Sequence, residues 1–199
     1  MAKLFMTEKK IQGLLRLASP WPRDYALFHV ALATGFRAGD LLALKRESFE
    51  ELDGQVRCAI KITMQKTGKT VVRALPPACC EAVGLYLDTR TDFNPYLFPA
   101  LSNNTQGDMV PMNRSSLHRI FKRYINCIYA GEADTRGNAC HVTRRSVAKI
   151  ISDRAGRVEP ATKFLGHTSI ANTVAYLDMD AFGKQADEIV QALPWNKAT

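Results

Sequence analysis

Residues 55–75 read Gln-Val-Arg-Cys-Ala-Ile-Lys-Ile-Thr-Met-Gln-Lys-Thr-Gly-Lys-Thr-Val-Val-Arg-Ala-Leu, and this stretch decides the fold class. Between 55 and 65, apolar and polar side chains alternate, which is typical of a strand that is buried on one face. The segment 66–69 has turn chemistry, and 71–75 can return as a partner strand that ends at Pro76. The stretch predicts a small antiparallel meander, and the pattern allows that meander to begin near Ser48.

Helical periodicity dominates the sequence on both sides of this sheet. Thr7 can cap a first helix, and Pro22 suits the first turn of a second helix that spans 25–33 and is ended by Gly35 in a left-handed conformation. Further helices are predicted over 40–44, 78–87, 114–130, around 147–155 and 180–193. We therefore predict one domain over residues 1–199, mainly α with a small antiparallel β-sheet (α+β).

The charge of the chain is its unusual compositional feature. Lys+Arg 27 against Asp+Glu 19 gives a net charge of +8, and the sequence pI is about 9.4. A surplus of positive charge favours a polyanionic partner, because each cation placed on a phosphate releases condensed counterions. Charge alone leaves a nucleic-acid partner and a merely basic protein equally open.

Cysteine usage and the N-terminal sequence indicate a reducing compartment. The five cysteines form no CxxC pair, and the adjacent Cys79 and Cys80 suit neither an ordinary disulfide nor a zinc site. The N-terminus lacks the long apolar segment of a signal peptide, and no apolar run is long enough to span a membrane. We expect a cytoplasmic, nucleoid-associated protein with no membrane partner.

Side chains suited to phosphate chemistry occur at separated points of the chain. Each has an ordinary structural explanation by itself, such as an exposed turn lysine, a surface pair, a helix cap or a core tyrosine. A tyrosine that attacks phosphorus needs cationic donors for the charge that develops, a proton donor for the leaving oxygen and an acceptor for the phenol proton. The candidate residues for these roles are Arg37, Lys66, His141, Arg144, His167 and Tyr176.

Their order and local motifs resemble the tyrosine recombinase (phage integrase) family over nearly the whole chain. The motifs are Thr-Gly-Phe-Arg ending at Arg37, a Lys-Thr-Gly turn at 66–68, His-x-x-Arg at 141–144, and Leu-Gly-His at 165–167 followed nine residues later by Tyr176. The resemblance implies a site-specific recombinase that cleaves and rejoins DNA through a 3′-phosphotyrosine intermediate. It also implies integration, excision or inversion as the outcome, without a metal, ATP or any other cofactor.

The resemblance assigns a role to each candidate. It implies that Tyr176 is the nucleophile and that Lys66 protonates the leaving 5′ oxygen, with Lys69 as the weaker candidate. His141 would assist proton transfer, and Asp40 would support Arg37. The remaining side chains would stabilise the pentacoordinate phosphorane: Arg37, Arg144 and His167.

The sequence also departs from the family pattern. Thr143 stands where a large aliphatic residue is common, and Gly39 is unusual at the start of a helix. Hardly any sequence precedes the predicted catalytic domain, so we expect no N-terminal core-binding domain and a resemblance to short, invertase-like members or to a catalytic fragment. The helix predicted over 180–193 can pack on a neighbouring protomer or within its own chain.

Partners follow from the resemblance and the basic surface. We expect double-stranded DNA with specific recombination sites, a homotetramer on paired sites, and accessory DNA-bending or directionality proteins. A type IB topoisomerase-like enzyme and a non-cutting DNA-binding regulator on the same fold remain as alternatives. The helix at 114–130 presents basic residues that are either a solvated face or a DNA contact, and the candidate DNA-binding residues are Lys69, Arg114, Arg119, Lys122, Arg123 and Arg145.

Overall fold

The computed structural model describes residues 3–51, 55–100, 109–131 and 139–177. In these ranges it confirms a mainly helical fold with a small antiparallel sheet. The helix predicted over 180–193 lies outside the described residues. The elements are α1 (Glu8–Ala18), α2 (Pro22–Thr34), α3 (Ala38–Leu42), β1 (Ala59–Thr63), β2 (Thr70–Ala74), α4 (Pro77–Asp88), α5 (Arg114–Tyr129), α6 (Ala139–Ala155), α7 (Glu159–Leu165) and α8 (Ile170–Leu177).

The chain divides into two compact units, and the boundary between them falls within α6. The first unit runs to Val147 and holds α1 to α5, the sheet and the first half of α6. The second unit begins at Ala148 and holds α7 and α8 among its described residues. The prediction of one domain over the whole chain stays a prediction.

Helix α2 is the centre of the first unit. Leu27, Phe28 and Val30 are fully buried in it, as expected for a helix that is apolar on nearly every side. The Phe28 ring lies 4.9 Å, centroid to centroid, from the rings of both Phe121 and Tyr124 on α5. Aromatic packing therefore joins the central helix to α5.

Replacing Phe28 with alanine is expected to lower the free energy of unfolding by about 3–5 kcal/mol, because the cavity would remove both ring contacts. Urea denaturation followed by circular dichroism measures the change. Phe93→Ala is the matched control, since Phe93 is 90% exposed and should change stability by less than about 0.5 kcal/mol. A Phe28→Ala loss no larger than that of the control would contradict the aromatic core described above.

Helix ends follow the sequence signals. The Thr7 side chain accepts a hydrogen bond from the Lys10 N–H at the start of α1, and Gly35 ends α2 with φ 60° and ψ 25°. Gly156, after α6, also has a positive φ of 64°. Glycine adopts this left-handed conformation without the steric cost that other residues have, so each helix stops where the sequence predicts.

Among the described residues, the sheet is a hairpin of two strands and is shorter than predicted. Strands β1 and β2 pair antiparallel in the register Ala59↔Ala74 to Thr63↔Thr70, and Gly68 in the connecting turn has a φ of 63°. Ser48 does not start a strand, because residues 46–48 form a 3₁₀ turn and only the isolated bridge Glu50↔Val56 follows it. The alternation from 55 onward is therefore longer than the paired strand.

A buried carboxylate joins the N-terminal end of α2 to α5. Asp24 is 2% exposed, and its two oxygens accept hydrogen bonds from Arg23, from Arg123 at 2.8 Å and from the Tyr124 hydroxyl at 3.1 Å. A buried charge is tolerated when it is paired and hydrogen-bonded in this way. The network is not apparent from the sequence, because its members lie about a hundred residues apart.

Candidate active site

Arg37 occupies the corner between α2 and α3. Gly35 turns the backbone, and the Phe36 side chain, 3% exposed, anchors the corner in the core. Arg37 is then the N-cap residue of α3, with extended backbone angles. Its Nη1 is buried and has no hydrogen-bond partner within the described part of the chain. The fold therefore holds a guanidinium group in a fixed place with donor capacity to spare.

A cavity of about 420 Å³ brings three distant segments of the first unit together. Arg37 comes from the α2–α3 corner, Lys66 from the hairpin turn and His141 from the first turn of α6, and all three line the cavity. Asp40 also lines it, but this carboxylate is 2% exposed. The cavity therefore presents mainly donor groups, which suits an anionic ligand such as a phosphodiester.

The turn that carries Lys66 is held by Asp40. The resemblance predicts Asp40 beside Arg37, but its hydrogen bond in the structure is to a different group: Oδ1 accepts the backbone N–H of Gln65 at 2.8 Å. The turn is closed by its own backbone bonds, in which Gly68 N–H and Lys69 O both pair with Met64 at 2.9 Å. Asp40 thus joins α3 to the residue that precedes Lys66, while the Lys66 side chain stays exposed.

His141 and Arg144 lie three residues apart near the start of α6, so they share one side of the helix. Arg144 is 3% exposed, and its Nη1 donates to the carbonyl oxygen of Gly35. This contact joins α6 to the corner that carries Arg37. Thr143, the residue directly before Arg144, is buried at 2% exposure.

The His141 side chain is exposed, but partial desolvation and positive neighbours favour its neutral form. Partial desolvation of the ring lowers the His141 pKa below its ordinary value of 6.5, and the nearby charges of Arg145, Arg144 and Arg37 lower this pKa further. Both effects disfavour the imidazolium form. At neutral pH the ring is therefore available as a proton acceptor.

The fall of the cleavage rate at acid pH should reflect the protonation of His141. Protonation removes the acceptor, and because the pKa is lowered, the loss of the cleavage rate on the acid side should be centred below pH 6.5. Single-turnover DNA cleavage at subsaturating DNA measures the profile of the free protein, and His141→Gln should remove the acid limb. An acid limb centred at or above 6.5 that disappears in His141→Gln would contradict a neutral histidine.

His167 and Tyr176 meet in the second unit. Gly166 ends α7 with φ 64°, and His167 follows it directly. The His167 Nδ1 lies 2.9 Å from the Thr173 hydroxyl, which is itself 2.9 Å from the Thr162 hydroxyl. The rings of His167 and Tyr176 stack edge to face, with centroids 5.5 Å apart. The threonine pair and the α8 tyrosine together orient the imidazole.

The predicted site residues therefore form one group in each compact unit. In the first unit, Arg37, Lys66 and His141 line the cavity, and Arg144 contacts the Gly35 carbonyl, two residues before Arg37 in the corner. In the second unit, the group consists of the His167 and Tyr176 pair. The other tyrosines include clear structural examples: the Tyr129 hydroxyl donates to Phe5 O at 2.6 Å, and the Tyr86 ring stacks on Phe98.

The predicted DNA-binding residues differ in exposure. The exposed ones are Lys69, Arg114, Arg119, Lys122 and Arg123. Arg123 keeps 61% of its side chain exposed while it pairs with Asp24. Arg145 is 8% exposed, lies over the Phe5 ring and has its Nη1 3.5 Å from Leu4 O. It packs the N-terminal segment, so we do not retain it as a DNA contact.

Within the described ranges, the structure contains neither a metal-binding cluster nor a membrane-spanning helix. No group of three His, Cys, Asp or Glu side chains in these ranges is placed to hold a metal ion. None of the helices described is both long and apolar enough to cross a membrane.

The sequence did not single out Gln65 as a site residue, and it indicated Arg114 only as a surface cation. Both line the cavity with Arg37 and Lys66. A signal for Gln65 was its position next to the turn lysine. A signal for Arg114 was its position directly after Asn113, which caps α5 by accepting the Ser116 N–H.

Solved structures share this fold. A crystal structure of XerA recombinase aligns over 97% of this chain and 66% of its own chain, with a TM-score of 0.72 and 23% identity. XerH site-specific recombinase, solved bound to a palindromic difH substrate in a post-cleavage complex, aligns over 99% of this chain and 54% of its own, with a TM-score of 0.70 and 18% identity. At these identities the likeness defines the class of fold, that of tyrosine recombinases.

The sequence gives the family. Residues 5–181 match the phage integrase family, and the chain belongs to that family. Among curated relatives, tyrosine recombinase XerC of Roseiflexus sp. (strain RS-1) is 27% identical over 180 residues, which cover 86% of this chain and 54% of the relative. Tyrosine recombinase XerA of Pyrococcus furiosus is 25% identical over 177 residues, covering 88% and 57%. The chain thus spans about half the length of these relatives.

Proposed function

We propose that this chain is the catalytic part of a site-specific DNA recombinase that cleaves and rejoins strands through a 3′-phosphotyrosine intermediate. The observation that carries the proposal is the cavity in which Arg37, Lys66 and His141 meet, in a chain of the phage integrase family. Binding alone would not require a neutral histidine beside a lysine and an arginine, whereas phosphoryl transfer uses all three.

The arginines stabilise the charge of the transition state. Arg37 offers a guanidinium group with a donor that no other described residue occupies, and Arg144 is fixed by the Gly35 carbonyl. Planar guanidinium groups can each bind two phosphate oxygens. Donors that are already in place cost no reorganisation during the reaction, which makes such stabilisation a large part of catalysis.

Protons are handled by Lys66 and His141. Lys66 lies on an exposed turn held at Gln65, so its ammonium group can follow the leaving 5′ oxygen and protonate it. The lowered pKa of His141 favours its neutral form, which can accept the proton that the Tyr176 phenol loses as it attacks. The two residues therefore supply an acid and a base at neutral pH.

Tyr176 is the proposed nucleophile. Its phenol oxygen attacks the scissile phosphorus, the bond to the 5′ oxygen breaks, and the enzyme keeps the 3′ phosphate as a tyrosine ester. His167, oriented by Thr173, donates to the phosphorane. The energy of the phosphodiester is kept in the covalent link, so rejoining needs no ATP.

The remaining functional proposals concern DNA and assembly. The exposed cations Lys69, Arg114, Arg119, Lys122 and Arg123 contact the phosphate backbone of double-stranded DNA, as the net charge of +8 favours. Four protomers act on paired sites, with accessory DNA-bending or directionality proteins, in the nucleoid of the cytoplasm. A related structure supports DNA as the partner, since XerH was solved bound to its difH substrate.

A covalent trap tests the proposal. A duplex that the chain binds is first selected from a random pool. A set of copies is then synthesised, each with one nick at a different position along one strand. Cleavage near the nick releases a short fragment that diffuses away, so rejoining is prevented. The chain is incubated with these substrates without divalent metal, and denaturing gels are used to detect a protein–DNA adduct. Mass spectrometry of the digested adduct identifies the modified residue.

The proposal expects an adduct on one defined phosphate, carried by tyrosine. DNA that is retained tightly but never becomes linked to the chain would instead support a binding regulator. Relaxation of supercoiled DNA without exchange between two sites would indicate a topoisomerase-like activity. Either result would overturn the recombinase assignment.

A further inference from the structure

The reason for a glycine at position 39 is space. Gly39 lies in α3 and does not have a positive φ, so backbone conformation does not require it. A Cβ built there would lie 2.9 Å from Arg114 Nη2 and 2.9 Å from Gln65 Oε1. Real Cβ atoms essentially never come closer than 3.0 Å, so a larger residue would require a shift of the Arg114 guanidinium or the Gln65 amide, each of which is the end of a flexible side chain. The glycine at position 39 thus leaves the space that these two groups occupy.

Arg114 stands between two cavities. It lines the cavity of Arg37, Lys66 and His141, and it also lines an adjacent cavity of about 360 Å³. Gly39 and Gln65 are shared by both cavities as well. A chain of phosphates that enters the first cavity can therefore continue into the second past the Arg114 guanidinium.

Positively charged side chains lie along both cavities. Tyr96 lines the second cavity, and the Lys45 ammonium group lies 3.5 Å from the centroid of its ring. Across residues 3–51, 55–100, 109–131 and 139–177, the ion pairs formed by arginines do not include Arg114. The lining carboxylate, Asp40, is buried and accepts the Gln65 N–H. The Arg114 charge is thus available to an anion from outside the chain.

We propose that Arg114 contacts the substrate in the cleavage pocket, where it binds the DNA phosphate next to the scissile one. The absence of a side chain at Gly39 leaves the room that the Arg114 guanidinium occupies there. This proposal rests on the proposed function, because it assumes that the scissile phosphate occupies the cavity of Arg37. Arg114 would then fix the register of the strand in the pocket, and this role differs from a general contact along the outer face of α5.

The expected consequence is a loss of binding more than of chemistry. A contact to a phosphate that does not react is equally strong in the ground state and the transition state, so its removal weakens binding and leaves the bound rate nearly unchanged. We expect Arg114→Ala to weaken DNA binding about tenfold, as for the loss of one charged hydrogen bond. Gly39→Ala should produce a smaller loss, because the guanidinium at the end of a flexible side chain can shift away from the new Cβ.

The test combines variants with DNA that lacks one phosphate charge. Neutral methylphosphonates are placed singly along the strand of the duplex that the chain retains from a random pool. Fluorescence anisotropy measures binding, and the nicked form of the same duplex gives the single-turnover rate of covalent adduct formation. The proteins are wild type, Arg114→Ala, Gly39→Ala and their double variant, with Arg119→Ala as the control. Arg119 is an exposed arginine of the same helix that lines neither of these two cavities.

The proposal expects that one methylphosphonate, beside the mapped cleavage position, weakens DNA binding by wild type about tenfold. The same methylphosphonate should leave binding by Arg114→Ala almost unchanged. Arg119→Ala should remain sensitive to that position, and the double variant should bind no worse than Arg114→Ala. Equal sensitivity of wild type and Arg114→Ala at every position would overturn the assignment. Coupling to the scissile phosphate itself would also overturn it, since Arg114 would then act on the reacting group.

Failure of the proposed function gives a different result. If wild type binds DNA and forms no adduct, the recombinase proposal fails, and coupling of Arg114 to a single phosphate still decides whether this contact exists. If wild type forms the adduct and Arg114 couples to no phosphate, the Arg114 proposal fails alone. Thermal unfolding of Arg114→Ala should match wild type, because Arg114 is an exposed residue.

Discussion

Tyr176→Phe is expected to abolish the covalent protein–DNA adduct while DNA binding and folding remain. Phenylalanine lacks the oxygen that attacks phosphorus, so the rate should fall by more than about 10⁴-fold, as it does when other enzymes lose their nucleophile. The ring that stacks on His167 is kept, so the packing of α8 is preserved. Denaturing gels with the nicked substrate measure the adduct, and anisotropy measures binding.

Tyr25→Phe is the matched control for this experiment. Tyr25 is a half-buried tyrosine that packs against His29 with ring centroids 4.5 Å apart, and it has no assigned chemical role. Its variant should form the adduct at the wild-type rate. An adduct that persists in Tyr176→Phe would show that another residue is the nucleophile, and mass spectrometry of the linked peptide would identify it.

Arg37→Ala is expected to lower the rate of adduct formation by about 10²–10³-fold, the usual loss when one preorganised donor to a developing oxyanion is removed. The free energy of unfolding of this variant should change much less than the rate. The buried Arg37 Nη1 has no hydrogen-bond partner among the described residues, so it does not stabilise the free protein. Single-turnover cleavage and thermal unfolding, measured on the same preparation, separate the two effects.

Two further variants sharpen this prediction. Arg37→Lys keeps the charge but loses the planar fork, so it should recover only part of the lost rate. Arg16→Ala removes an exposed arginine from the last turn of α1 and should change neither quantity. A large drop in unfolding temperature for Arg37→Ala, with the rate preserved, would mean that Arg37 is a structural residue and that the transition state is stabilised elsewhere.

Much of the fold could be predicted because its signals are local. Gly35 ends α2 where the sequence places a left-handed glycine, and α5 spans Arg114–Tyr129 against a prediction of 114–130. The hairpin register follows from alternation and from Gly68 in the turn. The start of the meander near Ser48, which the pattern allowed, is not a paired strand, because residues 46–48 form a 3₁₀ turn that is followed by the isolated bridge Glu50↔Val56.

The site was less predictable because it depends on long-range partners. Candidates were found from the order of reactive residue types, and the structure places Arg37, Lys66 and His141 around one cavity. Sequence could not show that Asp40 bonds Gln65 N–H, since that contact spans 25 residues. It also could not separate Arg145 from the exposed cations, because an arginine can bury its stem over an aromatic ring as readily as it can reach solvent.

The contact between Arg144 and the Gly35 carbonyl couples the position of Arg144 to that of Arg37. Gly35 lies two residues before Arg37, so whatever moves the Arg144 guanidinium also moves the backbone that aims Arg37. Substitutions at the two positions should therefore be epistatic: after the first, the second should cost much less than it does alone. Homologues that no longer cleave DNA should therefore tend to have lost both Arg37 and Arg144. In such a homologue, restoring one of the two arginines should not restore cleavage.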